Sequence, residues 1–154
     1  MKKVAILVNE DSLSINHSQL ITGEIFFSVD QICFPEERWN DFAVILLSEW
    51  INITLEIIEN PTQKVPKKFY FMDGPYFAQG NMRDNKNFYL DFYERNSKGK
   101  LLLFSTECNF HEFKESLFNT AEKVYNIVKN EGLSSSNDFS KYEKMVNRIN
   151  LYKK

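Results

Sequence analysis

The sequence predicts an α+β domain: an antiparallel sheet of about five to six strands packed against two long helices, with a C-terminal amphipathic helix appended. Three observations carry this. Short apolar runs, several with period-two alternation, occupy the N-terminal segment and the middle of the chain. Two long stretches, 35–60 and 110–131, place apolar residues at helical spacing. A shorter stretch with the same spacing follows Ser134-Ser135-Ser136. The organisation reads as one α+β domain over residues 1–132, then a short serine linker and a docked helix over 133–154.

Each element has a local reason. Val4 to Val8 is a short apolar strand, followed by a polar stretch to Ser18. Leu20 to Val29 is a second strand, with Ile21, Ile25 and Phe27 on one parity. Phe34-Pro35-Glu36-Glu37 has the chemistry of a helix start, with proline at the first helical position and acids in the first turn. The helix from Pro35 to about Asn60 carries a narrow polar stripe (Arg38, Asp41, Ser48, Asn52, Glu56, Glu59) between two apolar faces, so it should be covered on more than one side. Lys67 to Met72 is a strand, Asp73-Gly74-Pro75-Tyr76 a turn, Tyr76 to Ala78 a short strand and Gly80 to Asn87 a polar loop. Phe88 to Arg95 and Lys100 to Thr106 alternate cleanly and flank Asn96-Ser97-Lys98-Gly99, a hairpin loop. Asn109 caps the next helix with Glu112 three residues on, and Gly132 stops it.

Composition narrows the function. The chain has 154 residues, 19 basic and 21 acidic, for a formal net charge of −2. A near-neutral balance gives no electrostatic footprint for nucleic acid. Two cysteines, Cys33 and Cys108, do not make a disulfide framework, and free thiols in a reducing, cytoplasmic setting are expected. The apolar run after Lys2-Lys3 is too short for a signal peptide. The run from Phe42 to Ile58 carries Glu49, Asn52 and Glu56, so no membrane span is expected. The final segment, Asp138 to Lys154, has a net charge of +3 and leaves −5 on the rest, which suits an acidic partner or its own acidic domain; docking on its own domain is the expectation, because its apolar stripe needs a surface to cover.

No catalytic constellation emerges. Cys108 and His111 are close in sequence, but a buried thiol and a surface histidine explain both. Two Cys and two scattered His supply no zinc spacing, and no glycine-rich phosphate loop occurs. Asp73, Asp84, Asp91 and Glu94 form no paired-carboxylate pattern in sequence. No cofactor and no metal are expected. The 23 aromatics mostly join apolar stripes; Tyr76, Phe77 and the Tyr89/Tyr93 parity of one strand do not. A base-stacking platform made of Phe69, Tyr70, Tyr89, Phe92 and Tyr93 needs a basic rim. The segment Phe69 to Glu94 has only Arg83 and Lys86 against four acids, so core packing is the expectation.

Phe34-Pro35-Glu36-Glu37-Arg38-Trp39-Asn40-Asp41-Phe42, followed by Phe71-Met72-Asp73-Gly74-Pro75-Tyr76, resembles a group of small bacterial proteins encoded beside contact-dependent or secreted toxins. These look like immunity proteins of polymorphic toxin systems. The resemblance spans about Gly23 to Gly132 and implies no catalytic residue. It implies a non-enzymatic protein that occludes a cognate toxin sterically and electrostatically. Candidate partner-binding residues are Asp73, Tyr76, Phe77, Arg83, Asp84, Tyr89 and Tyr93, with exposed acids meeting a basic toxin surface and Tyr76 as an anchor. The alternative is a ligand-binding protein or enzyme with a pocket between the aromatic sheet and the long helix. The motif residues also have plain explanations: Trp39 and Phe42 as helix core, Arg38 and Asp41 as a helix-surface pair, and Asp73-Gly74-Pro75 as turn chemistry.

Overall fold

A computed structural model describes residues 1–152. Two antiparallel sheets and three helices enclose one core. The fold is α+β, but the strands divide between two sheets rather than forming one. In the first, β1 (Val4–Val8) and β2 (Ser14–Ile15) flank β3 (Ile21–Val29), and the short β4 (Ile32–Phe34) and β5 (Asn40–Asp41) also pair with β3. Alternation decides which side of β3 is inside: Ile21, Gly23, Ile25, Phe27 and Val29 are buried while the residues between them are half-covered. The second sheet is a meander of β6 (Lys67–Tyr70), β7 (Tyr76–Met82), β8 (Asn87–Asn96) and β9 (Gly99–Asn109).

The long helix α1 is Ala43–Glu59, shorter than the sequence predicts. Pro35-Glu36-Glu37 does not open it: Phe34-Pro35 is a cis peptide, and Arg38 is left-handed with φ 63°. Residues 40 and 41 instead pair with Glu24 and Gly23 of β3, so a ladder formed with a distant strand overrides local helix chemistry. Arg38 accordingly pairs with Glu24 at 3.4 Å and not with Asp41. The two apolar faces of α1 are both used, one against β3 and β6 and the other against α2 (Phe110–Asn130) and α3 (Phe139–Ile149).

The second sheet is longer than its sequence pattern. Gly80 to Met82 continue β7 instead of beginning a polar loop, leaving residues 83–86 as the turn. Gly80 is needed there, because a Cβ would lie 2.3 Å from Phe88 Cζ. Helix α2 begins as its cap chemistry predicts, with Asn109 Oδ1 accepting the Glu112 N–H at 3.1 Å, and ends before Gly132 at φ 72°. Helix α3 packs Tyr142, Met145, Val146 and Ile149 inward, and the Tyr142 hydroxyl donates to the Ala121 carbonyl of α2. Asp138 fixes its entry by accepting the Ile21 N–H at 3.0 Å. Lys153 and Lys154, counted in the basic excess of this segment, lie outside the described residues.

Candidate functional site

The four-stranded sheet has two unlike faces. One carries Phe69, Ala78, Phe88, Leu90 and Phe92 into the core against α1, α2 and the first sheet. Among the described residues no layer packs over the other, and cross-strand register assembles its side chains into rows. Tyr70 lies opposite Phe77, Phe77 opposite Tyr93 and Tyr93 opposite Leu102. The next row holds Lys68, Gln79, Asp91 and Ser105, and the third holds Asn81, Tyr89 and Glu107.

The rings of the first row touch. Phe77 stacks on Tyr93 with centroids 5.1 Å apart and meets Tyr70 at 5.4 Å. Sandwiched between the two tyrosines, Phe77 is only 2% exposed although it faces outward. Each ring on this face carries a cation. Lys100 lies 4.5 Å from the Tyr93 centroid, Arg95 5.5 Å from Tyr70, Lys68 5.6 Å from Phe77 and Arg83 4.2 Å from Tyr89. Such contacts are worth about 0.5–1 kcal/mol each at exposed sites and hold the rings and cations in fixed relation. A hydrogen bond to Glu107 holds the Tyr89 phenol above its usual range, with desolvation adding to it. Burial, and then the Asp91 carboxylate, push the Tyr93 phenol up.

This face brings together Phe77, Arg83, Tyr89 and Tyr93 of the residues singled out in the sequence. It adds Lys68, Tyr70, Arg95, Lys100 and Leu102. The basic rim that the segment Phe69 to Glu94 lacks is supplied from just outside it, by strand register. The other three candidates lie elsewhere. Tyr76 has the opposite parity to Phe77 and packs inward, edge-on to Trp39 at 5.4 Å and Phe34 at 5.8 Å, so it is not an exposed anchor. Asp84 closes its own turn: Oδ1 accepts the N–H groups of Lys86 and Asn87 at 2.8 Å each, and these bonds hold its carboxyl below the usual range. Asp73 is exposed, and its N–H donates to Asp41.

Asp41 is the residue whose sequence reading changes most. It is 2% exposed rather than on a helix surface. Its Oδ2 accepts the Trp39 indole N–H and the Asp73 N–H, both at 3.0 Å, and its Oδ1 accepts the Phe42 N–H at 2.7 Å. Gly74, at φ 81°, sits where a Cβ would come within 3.1 Å of the Trp39 ring. The two short motifs therefore meet in space, and what joins them is a buried carboxylate.

The interface between the aromatic sheet and α1 is filled by Phe27, Trp50, Phe69 and Phe71. A groove of about 310 Å³ opens at its rim, among Ile57, Ile58, Met82 and Phe110. Cys108 is buried, and burial pushes its thiol up to about 12, with Glu112 and Glu107 adding to the shift. His111 is exposed, 4.0 Å from Glu115. With the folded pKa raised, the stability tied to the protonated thiol is intact below the ordinary thiol pKa and is lost as pH rises through about 12. An aromatic disulfide reagent near pH 8 is therefore expected to titrate half-buried Cys33 in the native chain and Cys108 only after denaturant is added. Rapid native labelling of Cys108 would contradict this.

Among the described residues no group of three or more His, Cys, Asp or Glu is placed to hold a metal ion. No helix among them is long and apolar enough to cross a membrane. Compared with family models, with curated proteins and with solved structures, the chain matches none.

Proposed function

We propose that this chain is a non-enzymatic binding protein that holds a protein partner on the outer face of β6–β9, in the manner of an immunity protein occluding a toxin domain. The observation that carries this reading is the uncovered face itself, where tyrosines, a buried phenylalanine, leucine and four ring-bound cations form one continuous surface. Tyr, Arg and apolar side chains are the residue types that dominate protein interfaces. Its electrostatic sense is the reverse of the one the sequence suggests. Lys68, Arg83, Arg95 and Lys100 outnumber Asp91 and Glu107 there, so the partner presents acidic groups. A protein fits better than a nucleic acid, because each ring already carries a cation on it and Asp91 and Glu107 interrupt the basic field.

The test is affinity capture of the protein encoded by the adjacent gene, with wild type and with Tyr93→Ala/Lys100→Glu. Wild type is expected to form a complex at sub-micromolar concentration. The double variant should lose about 2 kcal/mol or more of binding, roughly thirtyfold, as expected when an interface anchor is removed. Its melting temperature should stay close to that of wild type. No complex at micromolar concentration overturns the reading, as does a double variant that binds like wild type.

A further inference from the structure

Several sheet edges are tied to other parts of the chain. The outer edge of β1 faces α2, where Ser116 Oγ accepts the Ile6 N–H at 2.9 Å and the Thr120 hydroxyl donates to the Ile6 carbonyl at 2.8 Å. At β6, the Trp50 indole N–H of α1 donates to the Tyr70 carbonyl at 3.1 Å. At the far end of β9, the Lys2 N–H donates to the Glu107 carbonyl at 2.9 Å. From Gly99 to Ser105, β9 pairs with β8 on one side, and among the described residues no strand follows on the other. That bare stretch holds Leu101, Leu102 and Leu103, which are 52%, 51% and 42% exposed. Folded proteins usually blunt an open apolar edge, because it templates the pairing of another chain. This one is left open beside the aromatic face.

The geometry points to strand addition: an extended, acidic segment of the partner protein pairs with β9 along Gly99–Ser105 and becomes the next strand of the sheet. This rests on the protein-binding reading above and names the chemistry of what is bound. Charge selects the occupant. From Arg95 to Thr106 the chain holds Arg95, Lys98 and Lys100 and no carboxylate. A strand alternating Asp or Glu with aliphatic residues would set its acids against these cations and its apolar side chains against the leucines. It would lie beside a groove of about 810 Å³ between β9 and the β3–β4 hairpin, lined by Ile32, Phe104 and Thr106 among others. Thr106 is 7% exposed, and its hydroxyl has no partner among the described residues.

A second copy of the chain fits this edge less well. Two-fold antiparallel pairing centred on Leu102 would set Lys100 against Phe104 of the other copy and leave Arg95 and Lys98 without carboxylates. It would also bring the register irregularity of each β9 against that of the other. The same features that discourage self-pairing leave the edge open to an acidic strand.

Random peptides of about ten residues, long enough to run the bare edge, displayed on phage and panned against the intact chain, test the proposal. The expected result is enrichment of segments that alternate acidic and aliphatic residues. Their synthetic forms should bind at least tenfold more weakly to Arg95→Glu/Lys98→Glu/Lys100→Glu, whose three sites are exposed. N-methylation then separates strand addition from plain charge attraction. Successive N–H groups of a strand point to opposite sides, so methylating one alternate set should cost at least tenfold and methylating the other set little. Absence of enrichment, enriched peptides without acids, or equal losses from both methylated sets would overturn it. So would a chain that sediments as a dimer and becomes monomeric on Leu102→Lys, which would assign the edge to a second copy. Capture of the adjacent gene's product is independent of these peptides. A complex that forms while the peptides fail sinks strand addition alone, whereas an absent complex sinks the protein-partner reading.

Discussion

Asp41→Ala is expected to destabilise the protein by about 3–5 kcal/mol, well beyond the ~1 kcal/mol of a typical substitution. The substitution strands three N–H donors, from Trp39, Phe42 and Asp73, around a site that is 2% exposed. A fully buried donor left without an acceptor costs about 1–3 kcal/mol, and these part-buried donors fall at the lower end of that range each. The melting temperature should fall by about 6–20 °C in a domain of this size, measured alongside urea denaturation. Asp41→Asn should recover little. Asparagine keeps one acceptor oxygen and sets an NH2 against the donors that faced the other. Trp39→Phe removes a single donor and should cost about 1 kcal/mol for that bond. Trp39→Phe combined with Asp41→Ala should cost less than the sum of the two, because both break the same bond.

The pH dependence has a defined sign. Burial raises the Asp41 carboxyl above its ordinary value, and the hydrogen bonds from Trp39, Phe42 and Asp73 only partly offset this. A folded-state pKa above the unfolded one means that its contribution is fully present below the ordinary carboxylate pKa and declines as pH rises through the folded value. The stability gap between wild type and Asp41→Asn should therefore be widest in acid and narrow toward neutrality. A gap that widens with pH would show that the hydrogen bonds outweigh desolvation. Either way, the two motifs that carry the family resemblance converge on a folding contact. Residues 34–42 and 71–76 are held to each other by this carboxylate, away from the outer sheet face.

Where local chemistry and tertiary packing agree, the elements are legible in the sequence. The β8–β9 hairpin follows its alternation, α2 starts at its Asn109 cap and stops before Gly132, and α3 follows its apolar stripe. The start of α1 is not legible, because nothing within residues 35–42 reveals that Asn40 and Asp41 pair with Gly23 and Glu24. The division into two sheets is hidden for the same reason: β4 and β5 are two or three residues long and exist only through β3. The candidate site is half legible. Parity along β8 separates Tyr89 and Tyr93 from Phe88 and Phe92, which sends one pair outward and the other into the core. The cations on the rings of this face come from β6, β9 and the strand ends, so only register brings Lys68 to Phe77, Arg95 to Tyr70 and Lys100 to Tyr93. Tyr76 and Phe77 are neighbours in sequence and opposite in role, which parity alone would resolve once the full extent of β7 is known.

Phe27→Ala is expected to cost about 3–5 kcal/mol, the range for deleting a buried aromatic ring from a packed core. Phe27 sits on the central strand of the first sheet and is fully buried. Its ring centroid lies 5.2 Å from Trp50 of α1, 5.5 Å from Phe92 of β8, and 6.4 Å from both Phe69 of β6 and Phe113 of α2. One ring therefore joins both sheets to two helices. Its loss leaves a cavity that rigid aromatic neighbours cannot collapse to fill. Phe27→Leu keeps much of the volume and should cost less than half as much. The sharper comparison lies on β8 of the other sheet. Phe92→Ala should match Phe27→Ala in stability, because Phe92 stacks on Phe104 at 4.4 Å and meets Phe34 at 4.8 Å in the same core. Tyr93→Ala, one residue further along, should cost about 1 kcal/mol and spend its effect on partner binding. Denaturation curves for the three variants, read beside their affinity for the captured partner, should place Phe27 and Phe92 on the stability axis and Tyr93 on the binding axis. If Tyr93→Ala destabilised the fold as much as Phe92→Ala, the outer face would be a satellite core rather than an interface.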